Sequence, residues 1–279
     1  MAGRSGWTPV TMTARAFVFR FRWILINREK TMIKKIVLGV MTLLLLMVIG
    51  FVAWGLTPLG PGDTTREIIE YTEGISIVDY DNALYFCPYQ PTETKGIIFY
   101  PGGRVDYRSY TPLLYQLAQA GVPVVMMKMP LSLAVLAPNR ADEVLRNPFF
   151  PCENEVEEWY VGGHSLGGAM AAVYAGNNLD QITGLILLAA YPPDSSDLST
   201  TDLRVLSIFA TKDGLATKED IDASKALLPS GTHVLAIVGG NHAQFGDYGT
   251  QGRDGEALIE DYEQWRMTSD MILWFLYND

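Results

Sequence analysis

From Thr64 to the end of the chain, short apolar segments alternate with helical patterns, and this alternation constrains the fold most strongly. Buried strands separated by helices long enough to cross over a sheet pack as a mostly parallel sheet with helices on both faces. Residues 75–78 and 83–87 are the exception, because a short turn-forming stretch between them is typical of an antiparallel hairpin. The sequence therefore predicts an α/β fold over residues 75–279.

The remaining elements follow from the same patterns. Further strands are predicted at residues 97–100, 122–127, 158–161, 182–190, 203–210 and 233–238. Helices are predicted at residues 110–120, 166–176 and 258–276. Residues 131–145 are expected to be largely helical, with a break near Pro138.

Residues 36–56 form an uncharged, almost wholly apolar run of 21 residues. As a helix rising about 1.5 Å per residue, this run is long enough to cross a hydrocarbon layer of about 30 Å. A cleaved signal peptide is the alternative, but its apolar region is usually about 7–15 residues and ends in a small-residue site, which is missing here. The run therefore predicts one uncleaved transmembrane anchor.

Charge is distributed unevenly around this apolar run. Residues 1–56 contain eight Lys and Arg and one acidic residue, for a charge of +7, whereas residues 57–279 carry −17. Because basic segments stay in the cytoplasm, we expect a single-pass protein of the cell membrane with its N-terminus inside and its acidic part outside. The net charge of −10 argues against nucleic acid as a partner, since phosphate binding needs a basic face.

Four parts are predicted along the chain. Residues 1–35 are a basic segment, either a disordered arm or the product of a gene start placed upstream of Met32. Residues 36–56 are the anchor, residues 57–74 are a linker and a first helix, and residues 75–279 are the α/β domain.

A serine lies where a predicted strand meets a predicted helix of small residues. Gly163-His164-Ser165-Leu166-Gly167 matches the pattern G-x-S-x-G of a nucleophile elbow. Such an elbow needs glycines two residues on either side of the serine, so that strand and helix can approach closely. Ser165 is therefore the predicted nucleophile.

A serine nucleophile needs a base to take its proton, and the chain has three histidines. His164 is next to Ser165 and is expected to point away from the reacting oxygen. His233 opens a strand and resembles an ordinary surface histidine. His242 follows the last strand through a Gly-rich loop, where it could reach Ser165, so it is the predicted base.

The acid that orients the base should lie between the serine and the histidine in the chain. Asp213 follows the strand at 203–210 directly, at the edge of the sheet where ligands gather in open α/β folds. Asp194 is the alternative, although the Pro and Ser residues around it indicate an ordinary turn. Asp213 is the predicted acid.

Two backbone N–H groups should bind the oxyanion that forms during acyl transfer. Leu166 supplies one by its place after the nucleophile. The other is expected from the Pro101-Gly102-Gly103 turn after the strand at 97–100, from Gly103 or, failing that, from Arg104.

With these residues assigned, residues 75–278 resemble a small α/β-hydrolase, similar to dienelactone-hydrolase-like and lipase-like esterases. The resemblance implies an eight-stranded sheet, acyl transfer to water and no cofactor. The chain departs from this family at two positions. Pro101 stands where a histidine often precedes the glycine of the loop, and Ser165 stands where dienelactone hydrolases themselves have a cysteine.

We therefore expect an enzyme that cleaves small or short-acyl carboxylic esters, without a cofactor or metal. Residues 191–202 are too few and too polar to form a cap over the site. Leu131, Leu133 and Leu136 could line an acyl groove, although packing onto the sheet is the simpler interpretation. Acyl transfer to another acceptor and a tethered, non-catalytic binding module are the alternative functions, because fold alone excludes neither.

Cys87 and Cys152 are the two cysteines of the chain. The strand order of the resembled family places the strand of Cys87 three strands from the one that follows Cys152, at about 4.8 Å per step. A disulfide needs Cα atoms within about 7 Å. We therefore expect no disulfide unless the loop of residues 147–157 reaches back across the sheet.

Overall fold

The computed structural model describes residues 14–90, 94–147, 150–152 and 156–278. The chain divides into two units, Met1–Trp54 and Gly55–Asp279. In the first unit the described residues belong to one helix, α1 (Ala14–Gly55). Its segment Val18–Gly55 is long and apolar enough to cross a membrane, with a mean hydropathy of 2.9 in a window that is not buried. A signal sequence near the N-terminus meets the same criterion.

The second unit is built around a sheet in which eight strands are described. In chain order they are β1 (Ile75–Asp79), β2 (Ala83–Pro88), β3 (Lys95–Tyr100), β4 (Val124–Met127), β5 (Glu158–His164), β6 (Gly184–Leu188), β7 (Arg204–Ala210) and β8 (His233–Ile237). They lie in the order β1-β2-β4-β3-β5-β6-β7-β8. β2 is antiparallel to β1 and to β4, and every other pair is parallel. The predicted hairpin and mostly parallel sheet are confirmed.

Helices cover both faces of this sheet. The described helices of the unit are α2 (Asp63–Glu70), α3 (Thr111–Gln119), α4 (Asp142–Leu145), α5 (Leu166–Asn177), α6 (Lys218–Ser224) and α7 (Asp261–Tyr277). The apolar sides of α3 and α7 belong to one core cluster, and the small side chains of α5 belong to a second cluster on the other face. Because both faces are covered, β2, β4 and β6 are buried along their whole length, which explains their continuous apolar sequences.

The linker that opens the second unit is bound along the domain. Leu59 pairs with the loop after β3, donating its N–H to the carbonyl of Arg104 (2.7 Å) and accepting the N–H of Asp106 (2.8 Å). Asp247 accepts the N–H of Gly62 on its own carbonyl and the N–H of Thr65 on its carboxylate, each at 2.7 Å. The Asp247 carboxylate therefore satisfies a free N–H group in the first turn of α2.

The predicted break near Pro138 is present in residues 131–145, but most of this segment is not α-helical, contrary to the expectation. The segment contains two short 3₁₀ turns, Pro130–Ser132 and Ala134–Leu136, and one turn of α-helix in α4. Leu131 and Ser132 have positive φ values of 51° and 55°, which a right-handed helix does not allow. The carbonyl of Ser132 instead accepts the N–H of Arg104 (2.7 Å), so the segment is tied to the loop after β3.

The expectation against a disulfide was also wrong. Cys87 and Cys152 are bonded, with Cα atoms 5.0 Å apart. β2 and β5 are indeed separated by β4 and β3, but Phe150 and Cys152, which come before β5 in the chain, lie against β2. The ring of Phe150 lies 5.9 Å from that of Tyr85 in β2 and 5.5 Å from that of Trp159 in β5.

Candidate active site

Ser165 lies in a sharp turn between β5 and α5. Its φ of 52° and ψ of −125° form a strained conformation for a residue with a side chain. Glycines make the turn possible, since a Cβ on Gly163 would lie 2.6 Å from the backbone of Gly167. A Cβ on Gly167 would lie 2.3 Å from the carbonyl oxygens of Tyr100 and Pro101. The elbow predicted from the motif therefore forms, with Ser165 at the carboxyl end of β5 and the N-terminus of α5.

Asp213 and His242 meet at the carboxyl ends of β7 and β8. Asp213 Oδ2 lies 2.8 Å from His242 Nδ1, and both side chains are buried. Asp213 Oδ1 accepts the backbone N–H groups of Leu215 and Ala216, each at 2.8 Å. These bonds hold the carboxylate in place, and the carboxylate in turn orients the imidazole of His242 through Nδ1.

Ser165 and His242 line one pocket with a volume of about 260 Å³. The rest of its wall is apolar or aromatic and consists of Leu166, Ala169, Ala189, Ala190, Tyr191, Leu215 and Ala216. In the described part of the chain, no hydrogen bond joins Ser165 Oγ to His242. Such bonds are often long before substrate binds and shorten in the complex.

The loop after β3 has one N–H group left for a substrate oxygen. The N–H of Gly102 donates to the hydroxyl of Tyr110 (2.9 Å), and that of Arg104 donates to the carbonyl of Ser132 (2.7 Å). Within the described residues, the N–H of Gly103 has no such partner. Of the two donors considered from the sequence, the geometry favours Gly103.

Gly103 lies against the residue expected to supply the second donor. A Cβ on Gly103 would lie 3.0 Å from Cδ2 of Leu166. Leu166 is the first residue of α5, and the first N–H groups of a helix have no partner within it. The positive end of the helix dipole also favours negative charge at this place. Gly103 therefore packs against Leu166 at the N-terminus of α5.

The two residues rejected as acid and base lie outside this pocket. Asp194 is exposed and does not line it. His233 is exposed at the start of β8, where its ring packs edge-on against Trp274 at 5.0 Å. Among the residues that the structure describes, no group of three or more His, Cys, Asp and Glu side chains could hold a metal ion.

Comparison with known proteins identifies the family. The model of the alpha/beta hydrolase family matches residues 96–266, which include Ser165, Asp213 and His242. The chain belongs to this family. The resemblance inferred from the elbow and from the order of the triad residues is thereby confirmed at the level of the superfamily.

Solved structures share the fold of this alpha/beta hydrolase at low sequence identity. A predicted CIB-like hydrolase from Thermoplasma acidophilum is 15% identical, with a TM-score of 0.53 over 71% of this chain and 96% of its own. Dienelactone hydrolase from Anabaena variabilis is 14% identical, with a TM-score of 0.54 over 72% of this chain and 98% of its own. A search of curated protein sequences finds no match.

His164 takes a place in this alpha/beta hydrolase that sequence reasoning missed. His164 is not among the residues that line the pocket of Ser165, and its ring lies 4.4 Å, between ring centroids, from the ring of His242. Burial, with a further contribution from His242, holds the pKa of His164 well below its usual range. His164 is therefore neutral and places no positive charge beside His242.

Tyr110 connects His164 to the loop after β3. Its hydroxyl accepts the N–H of Gly102 at 2.9 Å and lies 2.8 Å from His164 Nδ1. Burial raises the pKa of Tyr110, so the hydroxyl keeps its proton and can donate it to Nδ1. No pattern in the sequence indicates this pair, apart from the position of His164 beside Ser165.

Proposed function

We propose that this protein is a membrane-anchored serine hydrolase that cleaves carboxylic esters outside the cytoplasm. The observation that carries the proposal is the pocket in which Ser165, on its elbow, faces the same space as His242, whose Nδ1 is bound by Asp213 at 2.8 Å. A serine hydroxyl is a weak nucleophile until a base takes its proton and a third group orients that base. The three residues fill these roles in the chain order of alpha/beta hydrolases.

In the proposed reaction, Ser165 Oγ attacks the ester carbonyl while His242 Nε2 takes its proton. Asp213 stabilises the imidazolium through Nδ1, and the N–H groups of Gly103 and Leu166 bind the oxyanion of the tetrahedral intermediate. Collapse of the intermediate breaks the C–O bond, and His242 returns the proton to the leaving alcohol. Water, activated by the same histidine, then attacks the acyl-enzyme and releases the acid and the free serine.

Three observations support the location of the domain. The segment Val18–Gly55 is long and apolar enough to span a membrane. Residues 1–56 carry a charge of +7 and residues 57–279 a charge of −17. Because basic segments stay in the cytoplasm, the acidic part is expected outside. The disulfide between Cys87 and Cys152 is of a kind that persists in oxidising compartments and is rare in the cytosol. We therefore place the domain on the extracytoplasmic side of an uncleaved anchor.

Labelling with a membrane-impermeant fluorophosphonate tests nucleophile and location together. We expect the full-length protein in sealed right-side-out vesicles to be labelled, because the probe reacts with an activated serine that it can reach. The Ser165→Ala variant, reconstituted in the same way, is the matched control and should stay unlabelled.

The outcomes of this labelling separate the two parts of the proposal. Labelling only after detergent opens the vesicles would overturn the orientation and keep the hydrolase. Absence of labelling in both states, with the fold confirmed by circular dichroism, would overturn the hydrolase. A mature N-terminus found beyond Leu56 would show instead that the apolar segment is cleaved.

The site favours small or short-acyl esters. Its pocket of about 260 Å³ is smaller than the pockets of about 300–1,000 Å³ that usually hold drug-sized ligands. Residues 189–203 contain neither helix nor strand, so nothing in that segment forms a cap that would enclose a long chain. Leu133 is buried and Leu136 is half exposed, and neither lines this pocket.

We expect kcat/KM to be highest for the shortest members of a series of p-nitrophenyl esters from acetate to palmitate. The reason is that Ala169, Ala189 and Ala190 line a small pocket without an adjoining cap. Rates should be measured below the critical micelle concentration of each ester, with the Ser165→Ala protein as the blank. A maximum at twelve carbons or longer would contradict the preference for short acyl groups.

A further inference from the structure

Asp254 holds together the two loops that carry the acid and the base. Its Oδ1 accepts the backbone N–H groups of Gly214 (3.1 Å), His242 (3.2 Å) and Gly255 (2.8 Å). Its Oδ2 accepts the N–H of Ala243 (2.8 Å). One carboxylate thus receives four backbone N–H groups, two of them from the loop of the base and one from the loop of the acid.

The two loops leave different strands, and so their alignment is not set by chain connectivity. The acid loop follows β7, and Gly214 comes directly after Asp213. The base loop follows β8 and contains His242 itself. The 2.8 Å bond between Asp213 Oδ2 and His242 Nδ1 therefore forms only if the two backbones are held in register. Asp254 contacts the backbone on each side of that bond.

The backbone segments on either side of Asp254 also pack closely against the loop that follows Asp213. A Cβ on Gly255 would lie 2.0 Å from the carbonyl oxygen of Lys212, and one on Gly214 would lie 2.3 Å from that of Arg253. The two segments therefore touch with no side chain between them. Asn241, the residue before the base, adds a bond from its Nδ2 to the carbonyl of Gly255 (2.8 Å).

The chemistry of Asp254 differs from that of the triad acid. Its oxygens receive backbone N–H groups, whereas Asp213 Oδ2 faces the imidazole nitrogen. Charge-assisted bonds from several N–H groups to one carboxylate are stronger than bonds to a neutral acceptor. A change at this residue therefore moves the loops and does not remove a reacting group.

We propose that Asp254 is a positioning residue for catalysis, which sets the alignment of Asp213 and His242 by binding both of their loops. The proposal rests on the proposed function, because the bond that Asp254 aligns is the one that orients the base. A displacement of about 1 Å in a catalytic group can cost about a hundredfold in rate. Asp254 does not line the pocket of Ser165, so its replacement should lower kcat and leave KM nearly unchanged.

Kinetics of the full-length enzyme in detergent test this role. We expect Asp254→Ala to lower kcat about a hundredfold or more, with KM changed by less than about threefold. Asp254→Asn should lower kcat about tenfold, because its amide oxygen can keep the three N–H groups on Oδ1 while its NH₂ group faces the N–H of Ala243.

Asp247 offers a matched control in the same region of the chain. Its carboxylate also accepts a backbone N–H, that of Thr65 in α2, and within the described residues no hydrogen bond joins that carboxylate to the backbone next to Asp213 or His242. Asp247→Ala should lower the stability to urea while kcat stays within about threefold of the wild type. A kcat for Asp254→Ala within tenfold of that of Asp247→Ala would overturn the proposal.

If Asp254→Ala does not fold, Asp254→Asn is the variant that tests the proposal. A fall in kcat of less than threefold for Asp254→Asn would then overturn it.

A spectroscopic measurement separates this proposal from the proposed function. The proton between His242 Nδ1 and Asp213 should give a low-field proton resonance in the wild type and in Asp247→Ala. We expect this resonance to shift or disappear in folded Asp254→Ala or Asp254→Asn protein. An unchanged resonance would overturn the positioning role whether or not the protein cleaves any ester. Lack of ester cleavage by the wild type, with the resonance lost in the variants, would overturn the function and leave the positioning role standing.

Discussion

Replacing Ser165 or His242 by Ala should lower ester turnover about a millionfold, to the level of residual catalysis by binding and oxyanion contacts. Each residue alone has this effect because the nucleophile and the base act as a unit, and either is ineffective without the other. Asp213→Asn should cost less, about 10⁴-fold, because it leaves both reacting groups and misorients the imidazole through the wrong tautomer. The measurement is kcat/KM for a short p-nitrophenyl ester with full-length protein in detergent.

The control for these variants is Asp194→Asn. Asp194 is exposed and does not line the pocket that contains Ser165 and His242, so turnover should stay within about threefold of the wild type. Circular dichroism of every variant should show an intact fold, since these changes remove few packing contacts. A greater loss from Asp194→Asn than from Asp213→Asn would show that the assignment of the acid is wrong.

The parts of the site that sequence reasoning placed well are those determined by local backbone chemistry. The motif around Ser165 indicates an elbow because glycine alone fits at Gly163 and Gly167, where added side chains would meet backbone atoms. Asp213 and His242 each follow a predicted strand, and parallel strands bring their carboxyl ends to one edge of the sheet. The parallel direction of these strands thus follows from pattern, whereas the catalytic roles of these residues stay predictions until the variants are assayed.

The parts that sequence reasoning missed depend on contacts between segments distant in the chain. Tyr110 and His164 are 54 residues apart, and nothing in either segment indicates their 2.8 Å bond. Asp254 lies 40 residues from Gly214, and its role depends on a close backbone approach that no periodicity records. Positive φ values at Leu131 and Ser132 broke an expected helix because Ser132 bonds to Arg104 instead. Each of these features depends on a tertiary contact that the local sequence does not indicate.

The disulfide between Cys87 and Cys152 should stabilise the domain by several kcal/mol. It joins β2, near one edge of the sheet, to the segment before β5, across a sequence separation of 65 residues. Because closing a loop of that length restricts the unfolded chain, the bond should contribute about 4 kcal/mol to the free energy of unfolding. The paired variant Cys87→Ala and Cys152→Ala should lose about 2–5 kcal/mol, measured by urea unfolding in detergent.

Reduced wild-type protein separates loss of the bond from loss of the buried side chains. Both cysteines are nearly inaccessible, 4% for Cys87 and 6% for Cys152, so their replacement also removes some packing. If the constraint on the unfolded chain is what stabilises the domain, dithiothreitol should bring the wild type close to the paired variant and leave the variant unchanged. Neither cysteine lines the pocket of Ser165, so kcat of the folded protein should change little. Equal unfolding midpoints for oxidised and reduced wild type would show that the bond does not stabilise the fold.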